Sequence, residues 1–360
     1  MKSVLNQQKQ PVPLNVANSI NKNAKNDFIV KDCDIPKINK IPTSKRIQTK
    51  PKENAVSEYN VITRCVTEQR RSSVTENSIS EFKEQNKIPT YCLKWLNYKY
   101  QKKEFLQLEQ QFLKILQIKP EKDIVHQIER DLSRTIKAEN HHTEIKNILT
   151  AYSVYDPNIG YVQGMNQIVS ILFNHAKQEW IAFWLFVNLI EQMEIRDIFQ
   201  LSLNAINKYS KILDFLLNKF VPRIYDNLSQ KQVNTELFIQ QWLLSLLLQF
   251  IPFEYTQVYL DGLFKQGISY FYTIALTIIK AFDKAIQEEE QIEILILLTS
   301  KQYSQLKWPS IFVFQWDINP GQLRVLLDCF DSDTNSFQKP KFQTHCSQLT
   351  TNFFQFIKNS

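Results

Sequence analysis

Apolar side chains recur at spacings of three and four residues from about residue 87 onward, a period typical of helices with one buried face. The segment EWIAFWLFVNLIEQM is apolar on nearly all sides, so it predicts a helix in the core. No alternating run long enough to predict a strand precedes residue 310. The pattern therefore predicts an all-α fold. Its clearest amphipathic helix is EFLQLEQQFLKILQI, with a buried stripe of Phe105, Leu108, Phe112 and Leu116.

Further along the chain, NAINKYSKILDFLLNKFVPRIYDNL predicts two helices separated at Pro222, because proline interrupts a helix interior. The 17 residues from Leu237 to Phe253 carry no charge, but they are short of the ~20 that a membrane span needs. They predict a buried helix. A membrane protein built on this stretch and on residues 264–282 is a more distant hypothesis. Residues 308–330 predict one short strand-like run and a last helix.

Residues 1–80 are rich in Asn, Lys, Gln, Ser, Thr and Pro, and they predict a disordered basic tail. The first 50 residues contain ten basic and three acidic side chains, which accounts for the whole net charge of +7. The remainder is formally neutral, so no nucleic-acid partner is expected. A solvating role is the first expectation for the tail, and contact of residues 1–50 with an anionic membrane is the alternative.

Common chemical signatures are absent from the sequence. The five cysteines are odd in number and never form a CxxC pair, so neither a zinc site nor a disulfide framework is predicted, and a reducing cytosol is expected. There is no GxxxxGK[ST], GxGxxG, HExxH or GxSxG motif. The five histidines, including His141 and His142, are expected to be polar surface residues. No metal site is predicted.

Two short segments contain candidate functional residues. In the first, IERDLSRT, a spacing of three residues places Ile128, Asp131 and Arg134 on one face of a predicted helix. The Asp131 carboxylate can then accept a hydrogen bond from Arg134 and hold its guanidinium in one orientation. An ordinary ion pair within a helix is the other interpretation of this segment.

The second segment is YDPNIGYVQGMN, in which residues 156–158 predict a turn before a helix. Gln163 lies where the turn passes into the helix, between Gly160 and Gly164, two of only five glycines in the chain. These glycines are expected to leave room for a foreign surface to approach Gln163. A tight turn that needs glycine for its dihedral angles is the alternative. The buried face of the helix is predicted to contain Met165, Ile168, Ile171 and Leu172.

Together the two segments resemble the TBC domain of GTPase-activating proteins for Rab-type small GTPases. The motifs of that family run I-x-x-D-x-x-R-T and Y-x-x-x-x-G-Y-x-Q-G-M-N, and both are complete here. KIPTYCLKW resembles the start of such a domain, and QQWLLSLLLQFIP with YLDGLFKQGISYFYTIALTIIK resembles its third conserved block. The resemblance implies a multi-helix TBC domain over residues 85–305, between the tail of residues 1–80 and a C-terminal extension, residues 306–360, packed on the domain.

The resemblance also implies a function, which is activation of GTP hydrolysis by a Rab GTPase in its GTP state. Arg134 matches the arginine finger of the family, and Gln163 matches its glutamine finger, both supplied in trans. Asp131 would orient Arg134. The chain would be an enzyme activator without a cofactor of its own, since GTP and magnesium belong to the GTPase. The residues that would support the loop presenting Gln163 are Tyr161, Gly164, Met165 and Asn166.

A non-catalytic effector or scaffold with the same fold, which binds a Rab GTPase without stimulating it, is the other hypothesis for the function. In either case the family implies a role in vesicle trafficking, in the cytoplasm and peripherally at endomembranes. The sequence contains no readable code for which Rab is bound, because specificity lies in surface loops.

Overall fold

The computed structural model describes residues 88–97, 99–101, 104–135, 140–200, 203–300, 303, 306–331, 334–338 and 348–359. Within this part of the chain a 3₁₀ helix, Arg196–Gln200, and an antiparallel pair of short strands, β1 (Phe330–Asp331) and β2 (Ser336–Phe337), accompany the α-helices. The prediction of an all-α fold is confirmed. In chain order, the α-helices are α1 (Thr90–Asn97), α2 (Phe105–Leu116), α3 (Lys122–Leu132), α4 (His142–Tyr155), α5 (Met165–Ala176), α6 (Glu179–Met193), α7 (Leu203–Phe220), α8 (Pro222–Gln230), α9 (Glu236–Leu244), α10 (Phe253–Gln266), α11 (Ile268–Ala281), α12 (Asp283–Glu288), α13 (Gln291–Thr299), α14 (Trp308–Val313), α15 (Pro320–Asp328) and α16 (Gln348–Asn359).

Two helices organise the packing. The all-round apolar helix α6 is surrounded by α1, α2, α4, α5 and α10, as its composition predicts. The second, α7, contacts α8, α9, α11, α15 and α16. The buried apolar side chains of the described residues form one continuous core, in which the helices that carry the candidate site, α3 and α5, pack on α4.

The helical patterns are largely reproduced. In α2, Phe105, Leu108 and Phe112 are buried as predicted, but Leu116 is only partly buried and Ile115 takes its place. Pro222 begins α8, where a missing N–H costs nothing, so the predicted break is confirmed. The four predicted core residues of α5, Met165, Ile168, Ile171 and Leu172, are fully buried.

The uncharged stretch from Leu237 to Phe253 is not one helix. Helix α9 ends at Leu244, and the backbone adopts positive φ angles at Leu246 (47°) and Leu247 (61°), which a continuing right-handed helix cannot contain. Both leucines are fully buried. Among the described residues, no helix has the length and apolar character needed to cross a bilayer.

Near the C-terminus, α14 packs on α10 and α11, while α15 and α16 pack on α7. The strand-like run expected within residues 308–330 forms α14 and an irregular segment, 314–319, and the two short strands follow α15. Helix α16 was not predicted, although it buries Phe353 and Phe354. The proposed tail, residues 1–80, lies outside the described residues, and the domain limits stay a prediction.

One histidine contradicts the surface interpretation. His175 of α5 is buried among aromatic rings, stacked on Phe253 at a centroid distance of 4.9 Å. Its Nε2 lies 2.8 Å from Thr256 Oγ1, and its Nδ1 lies 3.2 Å from the Tyr91 hydroxyl. Burial lowers the pKa of His175 to about 4. His126 and His142 are exposed, as expected, and His345 lies outside the described residues.

The pKa of His175 predicts a stability change between about pH 6.5 and pH 4. In this window the unfolded chain binds a proton at His175 while the folded chain does not, so stability is lost as the pH falls. His175→Asn removes this contribution. Urea unfolding from pH 7 to pH 4 should therefore give a stability difference between wild type and variant that shrinks as the pH falls. The exposed His142→Asn is the control, and a pH-independent difference for His175→Asn would contradict the assignment.

Candidate functional site

The first candidate residue, Arg134, lies just after helix α3 and not on it. The helix ends at Leu132, and the Arg134 backbone N–H donates to the Asp131 carbonyl at 3.2 Å in a tight turn. The prediction that Arg134 shares a helix face with Ile128 and Asp131 is therefore wrong in this detail. The Arg134 side chain is 69% exposed, yet its Nη2 donates to Asp131 Oδ1 at 2.6 Å. The guanidinium is thus held from one side and open on the other.

The Asp131 carboxylate is the buried partner in this pair, with only 6% of the side chain exposed. Its second oxygen, Oδ2, accepts a hydrogen bond from the Tyr161 hydroxyl at 2.9 Å. Burial, followed by the nearby Asp131 charge, raises the pKa of Tyr161, so the hydroxyl keeps the proton that it donates. Asp131 thereby connects Arg134 to the second segment.

A second connection runs through Thr135 and Asn166. The Thr135 hydroxyl donates to the Asp131 carbonyl at 2.7 Å and accepts from Asn166 Nδ2 at 2.7 Å. Asn166 Oδ1 in turn accepts from the Gly164 N–H at 2.9 Å. An unbroken series of hydrogen bonds therefore joins the turn that carries Arg134 to the residue after Gln163. Sequence reasoning gave Thr135 no role of its own, although it closes the first motif.

The loop before Gln163 is fixed at its beginning by a bidentate ion pair. Asp156 is buried and accepts from Arg196 Nε at 2.7 Å and from Arg196 Nη2 at 2.6 Å. Its carbonyl accepts from the backbone N–H groups of Ile159 and Gly160, which confirms the predicted turn. Arg196 was missed in the sequence because nothing links it to a turn 40 residues earlier.

Gln163 is exposed, whereas the residues around it are largely buried. Tyr161 and Val162 are buried before it, Met165 and Asn166 are buried after it, and the Val162 N–H contacts Met165 Sδ at 3.4 Å. Gln163 and Arg134 line the same open cleft of about 470 Å³. The remaining residues that line this cleft are Gln127, Arg130, Asp131 and Ser133.

Gly164 has a packing role that the sequence does not indicate. Its φ is +114°, and a Cβ placed there would lie 2.5 Å from the Leu244 carbonyl oxygen at the end of α9. Packing within the chain therefore requires glycine at this position, and clearance for a foreign surface stays a prediction. Gly160 has φ +66° and meets only a flexible side chain, Ile124, at 3.3 Å, which fits the turn interpretation.

The cleft suits the binding of an anion and the positioning of a small polar molecule. A guanidinium offers several N–H donors, and a carboxamide offers both a donor and an acceptor. Each carboxylate oxygen of Asp131 accepts a hydrogen bond from within the chain, one from Arg134 and one from Tyr161. Among the described residues, no group of three or more His, Cys, Asp or Glu side chains is placed to hold a metal ion.

Comparison with known proteins places these residues in a family. A family model of the Rab-GTPase-TBC domain, RabGAP-TBC, matches residues 82–287, more than half of the chain. The chain belongs to the RabGAP-TBC family. The crystal structure of the Ypt/Rab-GAP domain of Gyp1p covers 77% of this chain and 96% of its own, with a TM-score of 0.50 and 16% identity. The all-α TBC fold expected from the two motifs is therefore confirmed.

Curated relatives of this RabGAP-TBC chain match over parts of their length. The TBC1 domain family member whacked of Drosophila melanogaster is 33% identical over 138 residues, which cover 38% of each chain. The GTPase-activating protein GYP5 of Saccharomyces cerevisiae is 26% identical over 178 residues, which cover 49% of this chain and 20% of that protein. The chain thus spans less than half the length of either relative.

Replacing the two loop glycines by alanine should lower the free energy of unfolding by different amounts. Gly160→Ala should lower the free energy of unfolding by roughly 1 kcal/mol, because its φ lies in the small left-handed region. Gly164→Ala should lower it by roughly 2 kcal/mol more, because its φ lies outside that region and the methyl group would overlap a backbone carbonyl. Urea unfolding of both variants measures the difference, and equal costs would contradict the packing role of Gly164.

Proposed function

We propose that this chain is a GTPase-activating protein for a Rab-type GTPase in its GTP state, and that it supplies Arg134 and Gln163 in trans. The observation that supports this proposal is that both side chains line one open cleft while a shared hydrogen-bond network anchors both backbones. The chain then acts as an activator and not as an enzyme with its own substrate. The nucleotide and magnesium belong to the GTPase.

The reaction to be accelerated is attack of water on the γ-phosphorus of GTP, with cleavage of the bond to the β–γ bridging oxygen. Negative charge grows on that oxygen, and the Arg134 guanidinium neutralises it. Arginines supplied in trans accelerate such reactions by about 10³- to 10⁵-fold. The Gln163 carboxamide accepts a hydrogen bond from the attacking water and donates one to a γ-phosphate oxygen, which holds the water in line.

Five further residues act as positioning residues in this proposal. Asp131 holds one edge of the Arg134 guanidinium and leaves the other edge for the phosphate. The other four hold the backbone of the loop in place. The loop therefore needs no further ordering when Gln163 contacts the docked nucleotide. These four are Tyr161, Gly164, Met165 and Asn166.

The cellular role proposed from the family is regulation of vesicle trafficking, in the cytoplasm and at the surface of endomembranes. The ten basic residues among the first 50 favour contact with anionic lipid. This contact is independent of the cleft, so the two parts of the proposal can be tested separately.

Gln163→Ala should lower the stimulated rate of GTP hydrolysis by at least ~10²-fold, because the attacking water loses its positioning group. Its free energy of unfolding should stay within about 0.5 kcal/mol of wild type, since the side chain is exposed. Single-turnover hydrolysis by a panel of Rab proteins, together with urea unfolding, measures both quantities. If the wild type binds some Rabs but stimulates none, the chain is a non-catalytic effector and the proposal is wrong.

Arg134→Lys should also lower the stimulated rate by at least ~10²-fold, because an ammonium cannot keep a fixed bond to Asp131 and still present a planar set of donors. The lysine retains a positive charge beside the buried carboxylate, which limits the cost to folding. Arg223→Lys is a matched control, because Arg223 is 70% exposed and paired with Asp283. Equal rates for the two variants would exclude a special role for Arg134.

A further inference from the structure

The cleft contains a second arginine that has no part in the two motifs' proposed chemistry. Gln127, Arg130 and Asp131 are spaced by three and four residues, so one face of the last turns of α3 forms a wall of the cleft. Arg134 continues that wall in the turn that follows, and Gln163 lies in the same cleft on the loop before α5. Arg130 therefore lines the same cleft as both proposed fingers.

The charge of the cleft depends on this residue. Asp131 offsets the charge of Arg134 through their 2.6 Å contact, and its other oxygen is occupied by Tyr161. The acidic neighbour Glu129 pairs with Lys146 of α4 instead. Arg130 is exposed, and within the described part of the chain its guanidinium forms no ion pair. Its neutral neighbours in the cleft are Gln127, Ser133 and Gln163.

We propose that Arg130 binds a phosphate of the nucleotide in the docked GTPase and sets the affinity for the GTP-loaded partner. This inference rests on the proposed function. The nucleotide brings negative charge to a cleft whose only uncompensated cation, among the described lining residues, is Arg130. Because that charge is present before the reaction begins, the contact forms in the ground state. Arg130 therefore acts on binding, whereas Arg134 acts on the chemical step.

A structural role for Arg130 makes a different prediction. A basic residue in the last turn of a helix interacts favourably with the helix dipole, whatever is bound in the cleft. Loss of that interaction changes the unfolding free energy of the chain alone. Loss of a phosphate contact changes the affinity for a partner, and it does so more strongly at low ionic strength.

The test compares the full chain with its Arg130→Gln and Lys114→Gln variants. The probe is a panel of Rab proteins loaded with GppNHp for binding and with GTP for hydrolysis. Arg130→Gln should raise Kd and KM by about 10-fold at 50 mM salt while kcat changes less than about 2-fold. The increase should shrink toward about 2-fold at 500 mM salt. Lys114→Gln removes an exposed positive charge from α2, away from the cleft, and should leave Kd unchanged.

Several results would overturn the inference while leaving the proposed function intact. One is an unchanged Kd for Arg130→Gln in a protein that stimulates hydrolysis normally. Another is a loss that matches the change in unfolding free energy and does not depend on salt. A loss of equal size for GDP-loaded and GppNHp-loaded Rab would show that Arg130 does not contact the γ-phosphate and does not set the affinity for the GTP-loaded state. A wild type that stimulates no Rab refutes the proposed function, and if it also binds none, both fail.

Discussion

The buried carboxylate of Asp131 is the group on which the rest of the site depends. A carboxylate removed from water is costly unless charged or polar partners compensate it, and Asp131 has one partner in the core and one on the surface. Tyr161 fixes its position relative to the core, and Arg134 is then fixed relative to Asp131. The folding requirement of one buried charge thereby determines where an exposed guanidinium lies.

The loop that carries Gln163 obeys the same principle with different groups. Its first residue, Asp156, is held by Arg196, and its last, Gly164, is held by Asn166 and pressed against Leu244. Because both ends of the loop are fixed by contacts within the chain, the exposed Gln163 is positioned by its backbone. Rigid support beneath an exposed polar group is the arrangement that positions a side chain for a partner.

The sequence predicts this fold well wherever apolar periodicity alone decides an element. The stripe of α2, the uniformly apolar α6 and the break at Pro222 follow from such local patterns. The end of α3 does not follow from such a pattern, because the three-residue spacing from Ile128 to Arg134 continues beyond the last helical residue, Leu132. The end of α9 is not predicted by the sequence either. The residues that adopt the left-handed backbone there are two buried leucines and not a glycine.

The candidate site, too, is predicted from the sequence only in part. The motifs name Arg134, Gln163 and Asp131, but the contacts of Thr135 with Asn166 and of Asp156 with Arg196 join residues 31 and 40 positions apart. Such pairs exist only after the helices have packed, so no local pattern contains them. The same holds for His175, whose burial results from aromatic rings on α1 and α10. It follows that the motifs identify Arg134, Gln163 and most of the residues that support them, whereas the contacts that join these residues belong to the tertiary structure. A substitution that breaks one of these contacts can therefore displace Arg134 or Gln163 while leaving both of these residues unchanged.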